Sequence, residues 1–68
     1  MLTHNRTYRS HQRVQMAVAL VMEVVRQPTL AHVLLVLTDP YERALLLLRA
    51  HNPEIKAFWQ GEIEAWSV

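Results

Sequence analysis

Apolar residues recur along this chain with the spacing of α-helices, and joints containing proline separate the helical stretches. The alternation of apolar and polar residues that marks a strand is nowhere sustained. The pattern predicts an all-α fold with a single helical domain over residues 1–68. We expect a small bundle of three to four helices at about 10–27, 30–37, 40–51 and 53–66. Residues 1–9 have no period and are expected to form a polar, basic N-terminal arm.

Capping residues mark the predicted helix starts. Ser10 and Thr29 can cap the first and second helices, because their hydroxyl oxygens accept hydrogen bonds from backbone N–H groups. Asp39 and Asn52 each stand directly before a proline, and proline suits the first position of a helix. Glu42 falls three residues after Asp39, which is the spacing of a capping box.

The segment 30–37 has a competing interpretation. Valine and leucine dominate it, so a buried strand would also fit its composition. We expect a helix, because an isolated strand would have no sheet to join.

Four consecutive leucines lie in the predicted third helix. On a helical wheel, three of them share one arc with Ala44, as a core face does; they are Leu45, Leu47 and Leu48. Leu46 falls outside that arc, between charged residues. It is either a singly exposed leucine, which is common, or a contact with another chain. We favour the second interpretation.

The size of the chain also favours self-association. A domain of 68 residues without cysteine has a small core and no disulfide to reinforce it, yet 51% of its residues are hydrophobic. The apolar arc of the first helix is wider than one neighbouring helix would cover. We therefore expect a homodimer, with an interface formed by Val14, Val18, Val21, Val25 and Leu46.

Charge is uneven along the chain although the formal net charge is only +1. Residues 1–22 contain no acid and carry three arginines, Arg6, Arg9 and Arg13, which could contact the phosphates of a nucleic acid. No apolar run approaches the length of a membrane span. We expect a soluble, cytoplasmic protein that has no membrane partner.

The sequence contains no recognisable catalytic, cofactor-binding or metal-binding motif. None of the four histidines pairs with another at the spacing that lets a helix present two metal ligands. No serine or threonine lies in the setting of a nucleophile, and the single glycine cannot form a phosphate-binding loop. We expect no enzyme activity, no cofactor and no metal.

Residues 11–49, from "HQR" through "LAHVLLVLTDPYERALLLLR", resemble the N-terminal, dimer-forming helices of the tryptophan repressor family. Both have a long helix, a short leucine-rich helix and a proline-capped helix with a Glu–Arg pair. The resemblance implies a helical homodimer, and Thr38 and Arg49 would carry over from that family's ligand pocket. It does not extend to the family's DNA-reading helices, so it does not imply DNA binding.

These observations favour a small non-enzymatic protein, a regulator or inhibitor, that binds another protein through a helical surface. Aromatic and arginine side chains supply most of the binding energy in protein interfaces. The candidate partner-binding residues are therefore Tyr41, Arg43, Arg49, Trp59 and Trp66. Core packing is the alternative role for both tryptophans. The alternative function is a helical dimer that binds nucleic acid through Arg6, Arg9 and Arg13.

Overall fold

The computed structural model of the chain contains four helices in the residues that it describes. They are α1 (Leu2–Val24), α2 (Leu30–Thr38), α3 (Pro40–Arg49) and α4 (Pro53–Ser67). The structure describes the backbone of residues 2–26 and 29–67 and the side chains of residues 10–26 and 29–64. Within those residues there is no strand, and the predicted all-α bundle is confirmed. No helix in these ranges is both long enough and apolar enough to cross a membrane.

Helix α1 differs from the prediction at both ends. It begins at Leu2, so the backbone predicted as an arm is helical and Ser10 lies inside the helix instead of capping it. It ends at Val24, where the prediction placed its end at about residue 27. Arg26 follows with a φ of 69°, a left-handed conformation that a helix cannot contain.

The predicted caps of α2, α3 and α4 are confirmed. Thr29 Oγ1 accepts a hydrogen bond from His32 N at 3.2 Å, and Asp39 Oδ1 accepts from Tyr41 N at 3.0 Å. Asn52 Oδ1 accepts from the N–H of Glu54 at 2.8 Å. The capping box predicted for α3 does not close in its second half, because the N–H of Asp39 donates to the carbonyl of Leu35 in α2 at 2.8 Å.

Helix α1 is the centre of the bundle, and each of the other three helices packs on it. The core contains side chains from all four helices: Ala17, Leu20, Val21, Val33, Val36, Leu46, Ala50, Ile55 and Trp59. Trp59 is the largest of them and is fully buried. Because α4 packs on α1 and its backbone approaches α3 less closely, a gap remains between α3 and α4.

A carboxylate of α1 fixes the connection between α3 and α4. Glu23 accepts hydrogen bonds from the backbone N–H groups of His51 and Asn52, the latter at 3.2 Å from Oε1. These donors stand at the start of α4, where a helix leaves its first N–H groups without internal partners. The contact therefore sets the position of α4 relative to α1.

The leucine run of α3 differs from the prediction at three of its four positions, whereas Leu47 is partly buried against the core as expected. Leu46 is 9% exposed and belongs to the core, whereas Leu48 is 82% exposed and Leu45 is also exposed. Arg43 was predicted as a partner-binding residue of the surface, and its guanidinium lies over the ring of Trp59 at the edge of the core. Because Arg43 lies on the same side of α3 as the core, the side that packs inward is the one with Leu46 and Ala50. These two residues lie one turn apart.

Candidate functional site

The gap between α3 and α4 forms a concave surface, here called the α3–α4 groove. It consists of two adjoining depressions of about 500 Å³ and 460 Å³ that share Ala44, Leu47 and Ile63. Residues early in α3 border the same depression as residues late in α4, so the two helices run antiparallel along it. A groove of this size is within the range that ligands and peptide segments occupy.

Apolar side chains line most of the groove. Its lining from α3 includes Pro40, Ala44, Leu47 and Leu48, which follow the helical spacing i, i+4, i+7 and i+8. Leu37 extends the lining at one end, and Ile63 of α4 stands opposite. Leu48 and Ile63 are 82% and 60% exposed, so the groove presents apolar surface to solvent.

Charged side chains form one end of the groove, here called the arginine end and consisting of Arg13, Arg43 and Glu62. Arg13 Nε lies 2.8 Å from Glu62 Oε1, which makes an ion pair between α1 and α4. This nitrogen has no hydrogen-bond partner of proper geometry, so the contact is chiefly one of charge. Arg13 Nη2 also donates to the carbonyl of Leu37 at 3.5 Å.

Both arginines of this end lie over the indole of Trp59. The Arg43 Cζ atom is 4.8 Å from the ring centroid, and the Arg13 Cζ atom is 5.9 Å from it. An aromatic face attracts a guanidinium by its quadrupole, more strongly where water is excluded. The indole therefore holds two like charges close to each other at the edge of the core.

The pKa of the Arg43 guanidinium is lowered, first by burial and then by the positive charge of Arg13, while the Glu62 carboxylate opposes the shift. Both lowering effects disfavour the charged form, and arginine nevertheless stays protonated in proteins. A positive charge that is poorly compensated therefore stands at this end of the groove.

The opposite end of the groove is formed by Leu48, Lys56 and Gln60. Lys56 and Gln60 lie one turn apart on α4 and are both exposed. The groove thus has an apolar middle with polar, mainly basic residues at either end.

The residues predicted for the dimer interface do not form one surface. Val21 and Leu46 are buried in the core of the single chain, so the prediction that they contact a second chain is wrong. Val14 is exposed, and Val18 and Val25 are partly buried against the core. These three valines remain at or near the surface of α1.

The predicted partner-binding residues are also separated. Tyr41 and Arg49 are exposed but do not line the groove, and Arg43 does line it. Trp59 is fully buried, so its predicted contact with a partner is wrong and core packing is its role. The side chain of Trp66 lies outside the described residues.

Of the three arginines assigned to nucleic-acid contact, the side chains of Arg6 and Arg9 lie outside the described residues. Arg13 pairs with Glu62 and lies over the core indole, so its guanidinium does not project from the basic end of α1. The structure thus joins Arg13 and Arg43, which the sequence placed in two different sites.

The sequence analysis missed most of the groove. Leu48 was predicted for the core because the wheel of α3 was oriented on the wrong face. Three residues of α4, Lys56, Gln60 and Ile63, were not predicted as site residues, because the sequence does not show that α3 and α4 leave a gap between them. A signal was present in the series Pro40, Ala44 and Leu47/Leu48, a second apolar stripe beside Leu46 and Ala50. Two apolar stripes on a helix of ten residues indicate that it contacts more than the core of its own chain.

The side chains that line the groove determine which groups it can contact. Over the described residues, no cluster of three or more histidine, cysteine, aspartate or glutamate side chains could hold a metal ion. The groove offers apolar area, guanidinium and ammonium donors, and one carboxylate that is already paired. These groups can hold an apolar segment and orient an anionic group at its end.

In comparison with known proteins, no family model, no curated protein and no solved structure matches this chain.

Proposed function

We propose that this chain is a small regulatory or inhibitory protein that binds another protein, with the α3–α4 groove as its binding surface. The observation that carries the proposal is the exposed apolar lining of the groove, above all Leu48 and Ile63. A helix laid into an apolar groove is a recurring way in which proteins recognise segments of other proteins.

The charges around the groove support a protein partner. Lys56 at one end and Arg43 at the other surround an apolar middle, which is the arrangement of an interface with a dry centre and a polar rim. Burying apolar area at the centre supplies affinity, and the charges at the ends fix orientation.

Affinity capture from an extract of the organism that encodes the chain tests this surface. We expect Leu48→Glu to reduce the yield of a captured protein at least tenfold, because a carboxylate would enter the apolar middle of the groove. Leu30→Glu is the matched control, since Leu30 is an exposed leucine outside the groove lining. Equal loss with both variants, or no loss with Leu48→Glu, would contradict the proposal.

We propose in addition that the chain forms a homodimer through the outer side of α1. The residues that support this are Val14, Val18, Met22 and Val25, spaced at i, i+4, i+8 and i+11, with Val14 and Met22 exposed. Among the described side chains nine apolar residues are buried, which is a small core, and covering this stripe with a second copy would add apolar burial.

Sedimentation equilibrium tests the dimer. We expect the mass of a dimer for the wild type, the mass of a monomer for Met22→Glu, and an unchanged dimer for Leu48→Glu, which lies in the groove and away from α1. A monomeric wild type at micromolar concentration would contradict the proposal.

A further inference from the structure

The arginine end of the groove contains more positive than negative charge. Arg13 and Arg43 both lie over Trp59, and Glu62 is the one carboxylate among the described side chains that lines this depression. Glu62 is engaged with Arg13 at 2.8 Å. Among the described side chains no carboxylate makes an ion pair with Arg43.

Arg43 is held in place without that pair. Its Cζ atom lies 4.8 Å from the centroid of a fully buried indole, and this contact restrains its position before any ligand arrives. A preorganised guanidinium presents several parallel N–H donors, which match the two oxygens of a carboxylate. Burial and the positive charge of Arg13 both disfavour the charged form of Arg43. A negative group placed beside Arg43 would offset this unfavourable free energy.

The neighbouring surface limits what kind of anion fits. From the arginine end the groove continues along Ala44, Leu47 and Leu48, which carry no charge. A polyanion such as a nucleic acid would leave this apolar lining uncovered and would meet the negative charge of Glu62. A ligand with a single carboxylate and an adjoining apolar part fits both the uncharged lining and the excess positive charge at the arginine end.

We propose that the occupant of the α3–α4 groove is an amphipathic helix of a partner protein that places one aspartate or glutamate against Arg43. This inference rests on the proposed function and names the chemistry of its partner. Pro40 to Leu48 span about 12 Å along α3, enough for roughly two turns of such a helix. Its apolar residues at i, i+3, i+4 and i+7 cover the lining, and its acid lies at the end that meets Arg43.

Selection from a randomised library of 14-residue helical peptides tests the inference on the full chain. We expect peptides selected by the wild type to share an apolar i, i+3/i+4, i+7 pattern and to be enriched in acids at one fixed position beside it. Selection by Arg43→Met should keep the apolar pattern and lose the acid, since methionine retains an apolar stem over Trp59. Arg49→Met removes an exposed arginine of the same helix outside the groove and should leave the acid enriched.

A measurement that needs no protein variant accompanies the selection. Replacing the selected acid of a peptide by its amide, Glu→Gln or Asp→Asn, should weaken binding to the wild type about tenfold, the effect of losing a charge-assisted hydrogen bond. Apolar peptides without acid enrichment, or equal affinity of acid and amide forms, would overturn the inference and leave the groove as a binding surface. Failure to select any peptide would overturn it as well, whereas the proposed function itself fails if Leu48→Glu leaves capture unchanged or if Leu48→Glu and Leu30→Glu reduce it equally.

Discussion

At the scale of single residues, Trp59 organises both the core and the groove. Its ring packs edge-on against Phe58 with centroids 4.9 Å apart, and two guanidinium groups lie over it. The indole N–H makes no hydrogen bond within the described residues although it is buried, which costs free energy. The large apolar area of the ring outweighs that cost, and its face holds the charges that form the arginine end.

Trp59→Ala should lower the free energy of unfolding by about 3–5 kcal/mol, because it leaves a large cavity in a small core. Urea denaturation followed by circular dichroism measures the change. Tyr41→Ala is the control, since Tyr41 is exposed and its loss should cost less than about 0.5 kcal/mol. Similar effects of the two substitutions would show that Trp59 does not anchor the bundle.

The ion pair between Arg13 and Glu62 should couple α1 to α4. Both side chains are only partly exposed, so we expect a double-mutant cycle of Arg13→Met and Glu62→Gln to give a coupling free energy of about 1 kcal/mol. Glu62→Gln should also destabilise the chain more than Glu64→Gln, which changes an exposed acid of the same helix. A coupling indistinguishable from zero would contradict the structural role of the pair.

At the scale of helices, the sequence predicts where a helix begins better than it predicts which side of the helix faces the core. The caps at Thr29, Asp39 and Asn52 depend on a few adjacent residues, and all three form as expected. The inner face of α3 depends on Trp59 of α4, which is distant in sequence and accepts Arg43 against the core. A helical wheel assigns every arginine to solvent, so it cannot predict this orientation.

The leucine run gives the sharpest test of that orientation. Leu46→Ala should cost about 2–5 kcal/mol because Leu46 is buried, and Leu48→Ala should cost less than about 0.5 kcal/mol because Leu48 is exposed. The two substitutions are chemically identical and lie on one helix, so helix propensity cancels between them. Equal destabilisation, measured by urea denaturation, would mean that α3 is rotated.

Gly61 weakens α4 without a structural need for glycine. It lies inside the helix, and a Cβ built at this position meets nothing within 4 Å. Gly61→Ala should therefore raise the free energy of unfolding by about 0.5–1 kcal/mol. The reverse change at an exposed position of the same helix, Ala57→Gly, should lower it by a similar amount. A loss of stability in Gly61→Ala would indicate that the position is crowded.

At the scale of the whole molecule, the groove follows from how the helices are arranged around α1. Glu23 of α1 binds the backbone just before α4, and Arg13 of α1 pairs with Glu62 in the later part of α4. Helix α4 therefore contacts α1 at two points along its length, and a gap remains between α4 and α3. The sequence predicted a bundle of three to four helices with an apolar surface that contacts another chain. It could not locate that surface, because the gap between α3 and α4 depends on contacts between residues far apart in the chain.

The central claim is that the α3–α4 groove binds another protein, and photo-crosslinking within the native host tests it most directly. A benzophenone amino acid at position 48 lies in the groove, and the same group at position 30 lies outside its lining with a similarly high exposure. We predict that position 48 crosslinks to one defined protein and that position 30 does not. Absence of a crosslink from position 48, or the same products from both positions, would contradict the account.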